Sequence, residues 1–160
     1  MRILQTITHT NDHVSGLLLR LTLGIVILPH GLQLLLGWFG GYGFNGSMQY
    51  FTGVAGLPWL VAFTVIMLQS VGAVLLLTGT GTRLMAIAYV IMFIGMIVTA
   101  HSDYGFFMNW DGNQKGEGYE YHLLVIGLAL LLVINGAGKF SFDYFASKSR
   151  VQQPVQNIKL

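Results

Sequence analysis

The 160-residue chain contains no cysteine. Without thiols it can build no disulfide, no CxxC redox pair, no cysteine-ligated zinc site and no iron–sulfur cluster. Charge is scarce as well. Charged residues make up 9% of the chain, where a soluble domain carries about a quarter. The stretch 21–82 has no Asp, Glu, Lys or Arg at all, and no soluble surface can be made from it. No basic cluster or nucleic-acid motif occurs, which sets that class of partner aside. No HExxH or CxxCH is present to mark a zinc protease or attached haem. What the chain has instead is apolar mass: 54% hydrophobic residues and a mean hydropathy of +0.65. It reads as an integral membrane protein, with the lipid bilayer as its first partner.

A helix that spans a bilayer needs about 20 mainly apolar residues. Four segments qualify or nearly do, at about 15–37, 58–79, 83–101 and 119–138, and predict an all-α four-helix bundle in one domain, 1–146. The first segment is too long for the core of a cleaved signal peptide and reads as a retained helix. Pro58 suits a first helical turn, where its missing N–H is not needed. Thr78-Gly79-Thr80-Gly81 predicts a tight turn. Seven of the eight basic residues, all but Lys115, fall at one end of the bundle. The positive-inside rule makes that end cytoplasmic, with both termini inside and loops 38–57 and 102–118 outside. The first outer loop is uncharged and aromatic, which suits the membrane interface. Asn45 or Ser47 is a candidate cap for a short helix through Val54. Residues 147–160 read as a polar cytoplasmic tail, frayed at its end.

Polar groups inside apolar helices are costly and so carry the functional question. In "ILPHGLQ", Pro29 frees the carbonyl of Ile25, while His30 and Gln33, three apart, share a face. They could pair within a kinked helix or contact a ligand. Gln69 lies mid-helix, with Gly72, Ala73, Leu76 and Gly79 continuing its face, a pattern that also suits close packing. His101 ends the third helix, with Ala88, Met92, Gly95 and Thr99 behind it, and could simply be solvated. Glu117 and Glu120 open the fourth helix, where the helix dipole favours carboxylates. His122 is about 200° round from Glu120, so the two diverge unless the helix begins later. Arg20 reads as an interfacial anchor, snorkelling to the headgroups. His30, His101, Glu120 and His122 nonetheless fall at similar depth on three helices. A pocket among them could bind a quinone headgroup, with histidine donating a hydrogen bond or passing a proton, or a metal or haem.

Four blocks resemble the DoxX family of small bacterial membrane proteins. "HGLQLLLGWFGGYGFNGSMQYF" resembles the family's HG-x-QK-x-x-GWFGG block, and "LTGTGTR" its second-turn motif. "GFFMNWDGNQKGEGYEYHLL" resembles the block before the last helix, and "GAGKFSFD" the closing GPG-R/K-x-S-x-D signature. The likeness runs from Arg20 to Tyr144. His30, Gln33, Arg83, His101, Asn109, Trp110, Glu117, Glu120 and His122 all match. Two positions depart: Leu34 stands where the family's block usually has lysine, and Gln69 where it often has glutamate. An ion pair in relatives, lost here as a unit, would account for both, since a lone buried charge is costly.

The resemblance implies a four-helix, multi-pass protein of the bacterial inner membrane. It also implies a membrane subunit of an oxidoreductase complex, linked to sulfur-compound oxidation or redox stress and meeting quinone near the outer leaflet. On this reading His30, Gln33 and Gln69 would contact the headgroup. His101, Glu120 or His122 would manage its proton, and Asn109 and Trp110 would close the pocket as a lid. Haem stays open as an alternative cofactor. A protein partner or a soluble reductant would supply electrons. Two other readings are a non-catalytic anchor for a redox partner and a small-solute transporter, which a homo-oligomer could build.

Overall fold

A computed structural model describes Thr10 and residues 12–151. Arg2, Lys159 and the tail beyond Val151 lie outside the described residues. Among the described residues all regular structure is helical.

Helix α1, Val14–Leu36, runs unbroken through Pro29 and stops at Gly37, whose φ of 75° lets the chain reverse. Helix α2, Gly43–Gln49, continues through a wide π-type turn at Tyr50–Val54. It starts before both Asn45 and Ser47, and Tyr42 precedes it without a side-chain cap. The expected cap is therefore absent. The positive φ of Gly43 makes the turn instead. Helix α3, Trp59–Thr78, follows Pro58, and helix α4, Thr82–Tyr104, follows the glycine turn. Helix α5 is Glu120–Asn135, and helix α6 is Phe142–Val151. Residues 147–151 are the last residues of α6.

Three helices, α1, α3 and α4, are long and apolar enough to cross a membrane. At 1.5 Å per residue the 23 residues of α1 reach roughly 34 Å, beyond the ~30 Å hydrocarbon core. The 16 residues of α5 reach only about 24 Å, so the fourth segment is the short member. Inward faces pack Leu23 and Ile27 of α1, Ala73 and Leu76 of α3, Tyr89 and Phe93 of α4, and Val125, Ala129 and Leu132 of α5. Outward faces carry Leu18, Ile25, Leu60, Ile91, Val98, Leu124 and Ile134, each more than 60% exposed. So much bare hydrocarbon is tolerable only where the solvent is lipid. α2 folds back onto the bundle, where Met48 packs with Ala62 and Ile66 of α3 beside Leu34 and Leu35.

One end of the bundle is clasped. Arg20 is 2% exposed and does not snorkel. Its Nε donates to Ala137 O at 3.1 Å, its Nη2 to Phe140 O at 2.6 Å and Lys139 O at 3.2 Å, and its Nη1 to Leu77 O. The expectation of an interfacial anchor is corrected for a physical reason. α3 and α5 both end here, and helix ends leave carbonyls that need donors and favour a cation. Asp143 answers at the other polarity, accepting from Gly81 N and Thr82 N, both at 2.9 Å, at the start of α4. Ser141 Oγ donates to Gly138 O at 2.7 Å and accepts from Tyr144 N at 3.1 Å. The block "GAGKFSFD" is this clasp.

Candidate functional site

The opposite end of the bundle holds a cavity of about 230 Å³. Ile27 and His30 of α1, Gln69 of α3, and Phe93, Met96 and His101 of α4 line it, with Met108 and Glu117 from the following loop and Tyr121 and His122 from α5.

Two wide turns aim its polar residues. α3 opens into a π-type turn at Leu68–Gly72, which holds Gln69, and α4 does so at Ile97–His101, which ends on His101. Such turns shift the register of the side chains that follow and recur at functional sites. The α3 turn is braced by Tyr89, whose hydroxyl donates to Leu68 O at 2.8 Å, and by Ser70 Oγ, which donates to Ile66 O at 2.6 Å. Gly31 makes room for it. A Cβ at Gly31 would fall on the backbone of Gln69 and Ser70, so α1 and α3 can touch here only through a glycine.

The histidines are paired. The rings of His101 and His122 have centroids 4.1 Å apart, tilted by 46°. His101 Nδ1 lies 2.8 Å from Glu117 O. A carbonyl only accepts, so Nδ1 carries the hydrogen and Nε2 of the neutral ring is left as the acceptor. His122 is 4% exposed, held by Phe93 at 5.5 Å and Tyr121 at 5.6 Å between ring centroids. Its Nδ1 has no hydrogen-bond partner within the protein, and neither has the hydroxyl of Tyr121. Leaving a buried polar atom unpaired costs about 1–3 kcal/mol. Ser47 Oγ and Thr82 Oγ1 are likewise unpaired elsewhere, but Tyr121 and His122 are the two of these residues that line the cavity.

A loop fastened by two carboxylates covers the cavity. Glu120 Oε1 accepts from Met108 N at 2.9 Å and from Trp110 Nε1 at 3.2 Å, and Glu117 Oε2 accepts from Asn109 N at 2.7 Å. The Asn109 amide ties the loop to Gln114, donating to its carbonyl at 3.1 Å and accepting from its N–H at 2.9 Å. α5 begins at Glu120 itself, so Glu120 and His122 diverge, as their angular separation requires. Glu120 lies outside the cavity lining and grips the loop, while Glu117 lines it.

Several expected site residues are therefore not brought together. His30, Gln69, His101 and His122 line the cavity. His30 is exposed and sits at its rim. Gln33 lies one turn beyond, where its Nε2 donates to Phe39 O at 3.3 Å and steadies the turn Trp38–Gly40. The cavity face of α1 runs from His30 back to Ile27, not forward to Gln33. Asn109 and Trp110 do not line the cavity. Met108 is the loop residue that does, and Trp110 stands 84% exposed. Leu34 packs among apolar neighbours and is part of a hydrophobic cluster. Sequence reading missed Tyr121. The available signal was a tyrosine beside a histidine in an otherwise apolar helix. Among the described residues no three His, Cys, Asp or Glu come together to hold a metal ion.

Comparison with known proteins agrees with this architecture. The DoxX family profile matches residues 15–102. The chain is 29% identical over 137 residues to "Putative oxidoreductase CatD" of Bacillus subtilis (strain 168), covering 86% of this chain and 90% of that protein. It is also 29% identical over 107 residues to "Inner membrane protein YphA" of Escherichia coli (strain K12), covering 63% and 72%. No solved structure matches. With its apolar helices, the chain is a multi-pass inner-membrane protein, and it belongs to the DoxX family.

Proposed function

We propose that the cavity binds the headgroup of a membrane quinone and that the protein is the quinone-facing subunit of a bacterial oxidoreductase complex. The observation that carries this reading is that two residues lining the cavity beside Phe93 and Met96, His122 and Tyr121, each hold a buried polar atom without a protein partner. A quinone ring has the matching chemistry: two carbonyl oxygens that accept hydrogen bonds and a flat apolar body. Tyr121 OH donates to one oxygen, and His122, protonated at Nδ1, donates to another. Gln69 adds an amide at the same wall.

Reduction of a quinone to a quinol takes two electrons and two protons. The electrons come from a redox partner fed by reduced sulfur or thiol compounds. His101 passes the protons through Nε2, reloaded from solvent past the rim residue His30. The paired rings, with centroids 4.1 Å apart, leave no space for a porphyrin between them, and a cavity of about 230 Å³ suits one ring better than a haem. The positive-inside rule puts this end of the bundle at the outer face. A reporter active only in the periplasm, fused after Leu160, is inactive on this topology.

The test is quinone binding and reduction by the purified protein with its co-purifying partners. His122→Ala is expected to remove quinone reduction while the complex still assembles. Full activity in His122→Ala refutes the reading. A non-catalytic scaffold is favoured by one observation only, the exposure of Trp110 and Phe107 on a fastened loop. For a scaffold, Trp110→Ala abolishes partner recovery and the histidines can be changed freely.

A further inference from the structure

A second hollow, of about 500 Å³, lies between α3 and α4. Its walls are apolar apart from Thr64 and Thr99, and both hydroxyls are turned back onto their own helices. Thr64 Oγ1 donates to Leu60 O at 2.7 Å, and Thr99 Oγ1 to Gly95 O at 2.9 Å. The groove therefore asks for an occupant with no hydrogen-bonding groups. Along α4 it runs from Ala88 to Thr99, roughly 16 Å at helical rise. Leu60 and Ile91 leave it open to the lipid side.

This groove and the polar cavity meet. Met96 lines both. Leu68 and Met92 wall the groove while their chain neighbours Gln69 and Phe93 line the cavity. Methionine is unbranched and flexible, so a boundary made by Met96 can swing aside without disturbing the helix. The cavity is large enough for one ring and too small for a chain attached to it. A long apolar substituent on a ring bound there must leave the cavity, and the rim beside His30 and His101 is polar.

We propose that the groove between α3 and α4 seats the isoprenoid tail of a membrane quinone whose headgroup occupies the cavity, with Met96 at the threshold. This rests on the quinone reading above and narrows it. The ligand enters sideways from the bilayer, and the class of substrate is the tailed lipid quinone, not a water-soluble ring.

Gly95 supplies the test, because it lines the groove and a Cβ there meets nothing within 4 Å. Gly95→Phe fills the groove from a position outside the cavity lining, and Thr64→Phe fills it from the other helix. A tailed ubiquinone and its ring-matched analogue without an isoprenoid chain are titrated against the purified full chain by ultraviolet difference spectra. Wild type is expected to prefer the tailed quinone. Both groove variants lose about tenfold or more of the tailed affinity and keep that of the tailless ring. Tyr121→Phe weakens both ligands, and Gly127→Ala, in open space outside both linings, behaves as wild type. If the groove variants keep the full preference while Tyr121→Phe weakens both ligands, ordinary bilayer chains fill the groove, and the tail seat is refuted with the headgroup reading intact. If they change the oligomeric state instead of quinone affinity, a second copy covers the groove, and the tail seat is again refuted. If Tyr121→Phe and His122→Ala weaken neither ligand, the headgroup reading fails and the tail seat with it.

Discussion

Tyr121→Phe separates a binding site from a packing accident. The substitution removes one hydroxyl and leaves the ring among its neighbours Phe93 and His122. The hydroxyl is buried without a protein partner. Removing an unpaired buried polar atom relieves about 1–3 kcal/mol of desolvation cost, so the ligand-free variant should be more stable than wild type. Taking the low end, about 1 kcal/mol, the melting temperature rises by about 2–4 °C for a chain of this size. The same change deletes one hydrogen bond to the ligand, worth about 0.5–1.5 kcal/mol, which weakens quinone binding by about two- to tenfold. The assay is thermal unfolding of the purified protein with and without quinone. The empty variant melts higher and gains less from ligand. A lower melting temperature without ligand refutes the idea that the hydroxyl is an unmet cost, and an unchanged ligand-induced shift refutes its role in binding.

The remaining predictions concern the architecture around the site. Arg20→Lys keeps the charge but cannot fork to the several carbonyls that Arg20 serves. It is expected to cost about 3 kcal/mol or more, read as a sharp fall in detergent melting temperature. Gly31→Ala places a methyl group on the α3 backbone at Gln69 and is expected to abolish quinone binding and lower the yield of folded protein, while Gly127→Ala, in open space, does neither. Glu120→Gln weakens the grip on Met108 N and Trp110 Nε1. It should speed proteolysis within loop 105–119 several-fold, since nicking concentrates where loops open, and leave the cavity's hydrogen-bonding groups in place.

Most of the bundle was legible because hydropathy and punctuation agree. The expected 15–37 is Val14–Leu36, ended by Gly37, and the expected 58–79 is Trp59–Thr78, bounded by Pro58 and Gly79. Proline cannot continue a ladder and glycine takes the left-handed turn, so both boundaries are written in residue type. The site was less legible. Nothing in residue type marks the wide turns at Leu68–Gly72 and Ile97–His101, and they decide which way Gln69 and His101 point. The exchange of roles between Glu117 and Glu120 depends on where α5 begins, at Glu120 itself. Arg20 looked like an anchor because its partners are backbone carbonyls of Leu77, Ala137, Lys139 and Phe140. Carbonyls leave no trace in a sequence.

The two ends of the bundle differ in which polar groups they meet, and the clasped end too leaves one hydroxyl, Thr82 Oγ1, without a partner. At the clasped end, Arg20 and Asp143 meet the backbone groups that helix termini leave unpaired. Hydrogen bonds to charged groups are worth about 1.5–3 kcal/mol each. At the cavity end, His122 Nδ1 and Tyr121 OH go unmet at about 1–3 kcal/mol each. The terms are of the same order, so the clasp can hold the bundle together while the cavity keeps its polar atoms free. A chain selected only for stability would have phenylalanine at position 121 and an apolar residue at 122. Ser47 Oγ and Thr82 Oγ1 also go unmet elsewhere in the bundle, but of these four residues His122 and Tyr121 are the two that line the cavity, and that is the argument for a ligand there.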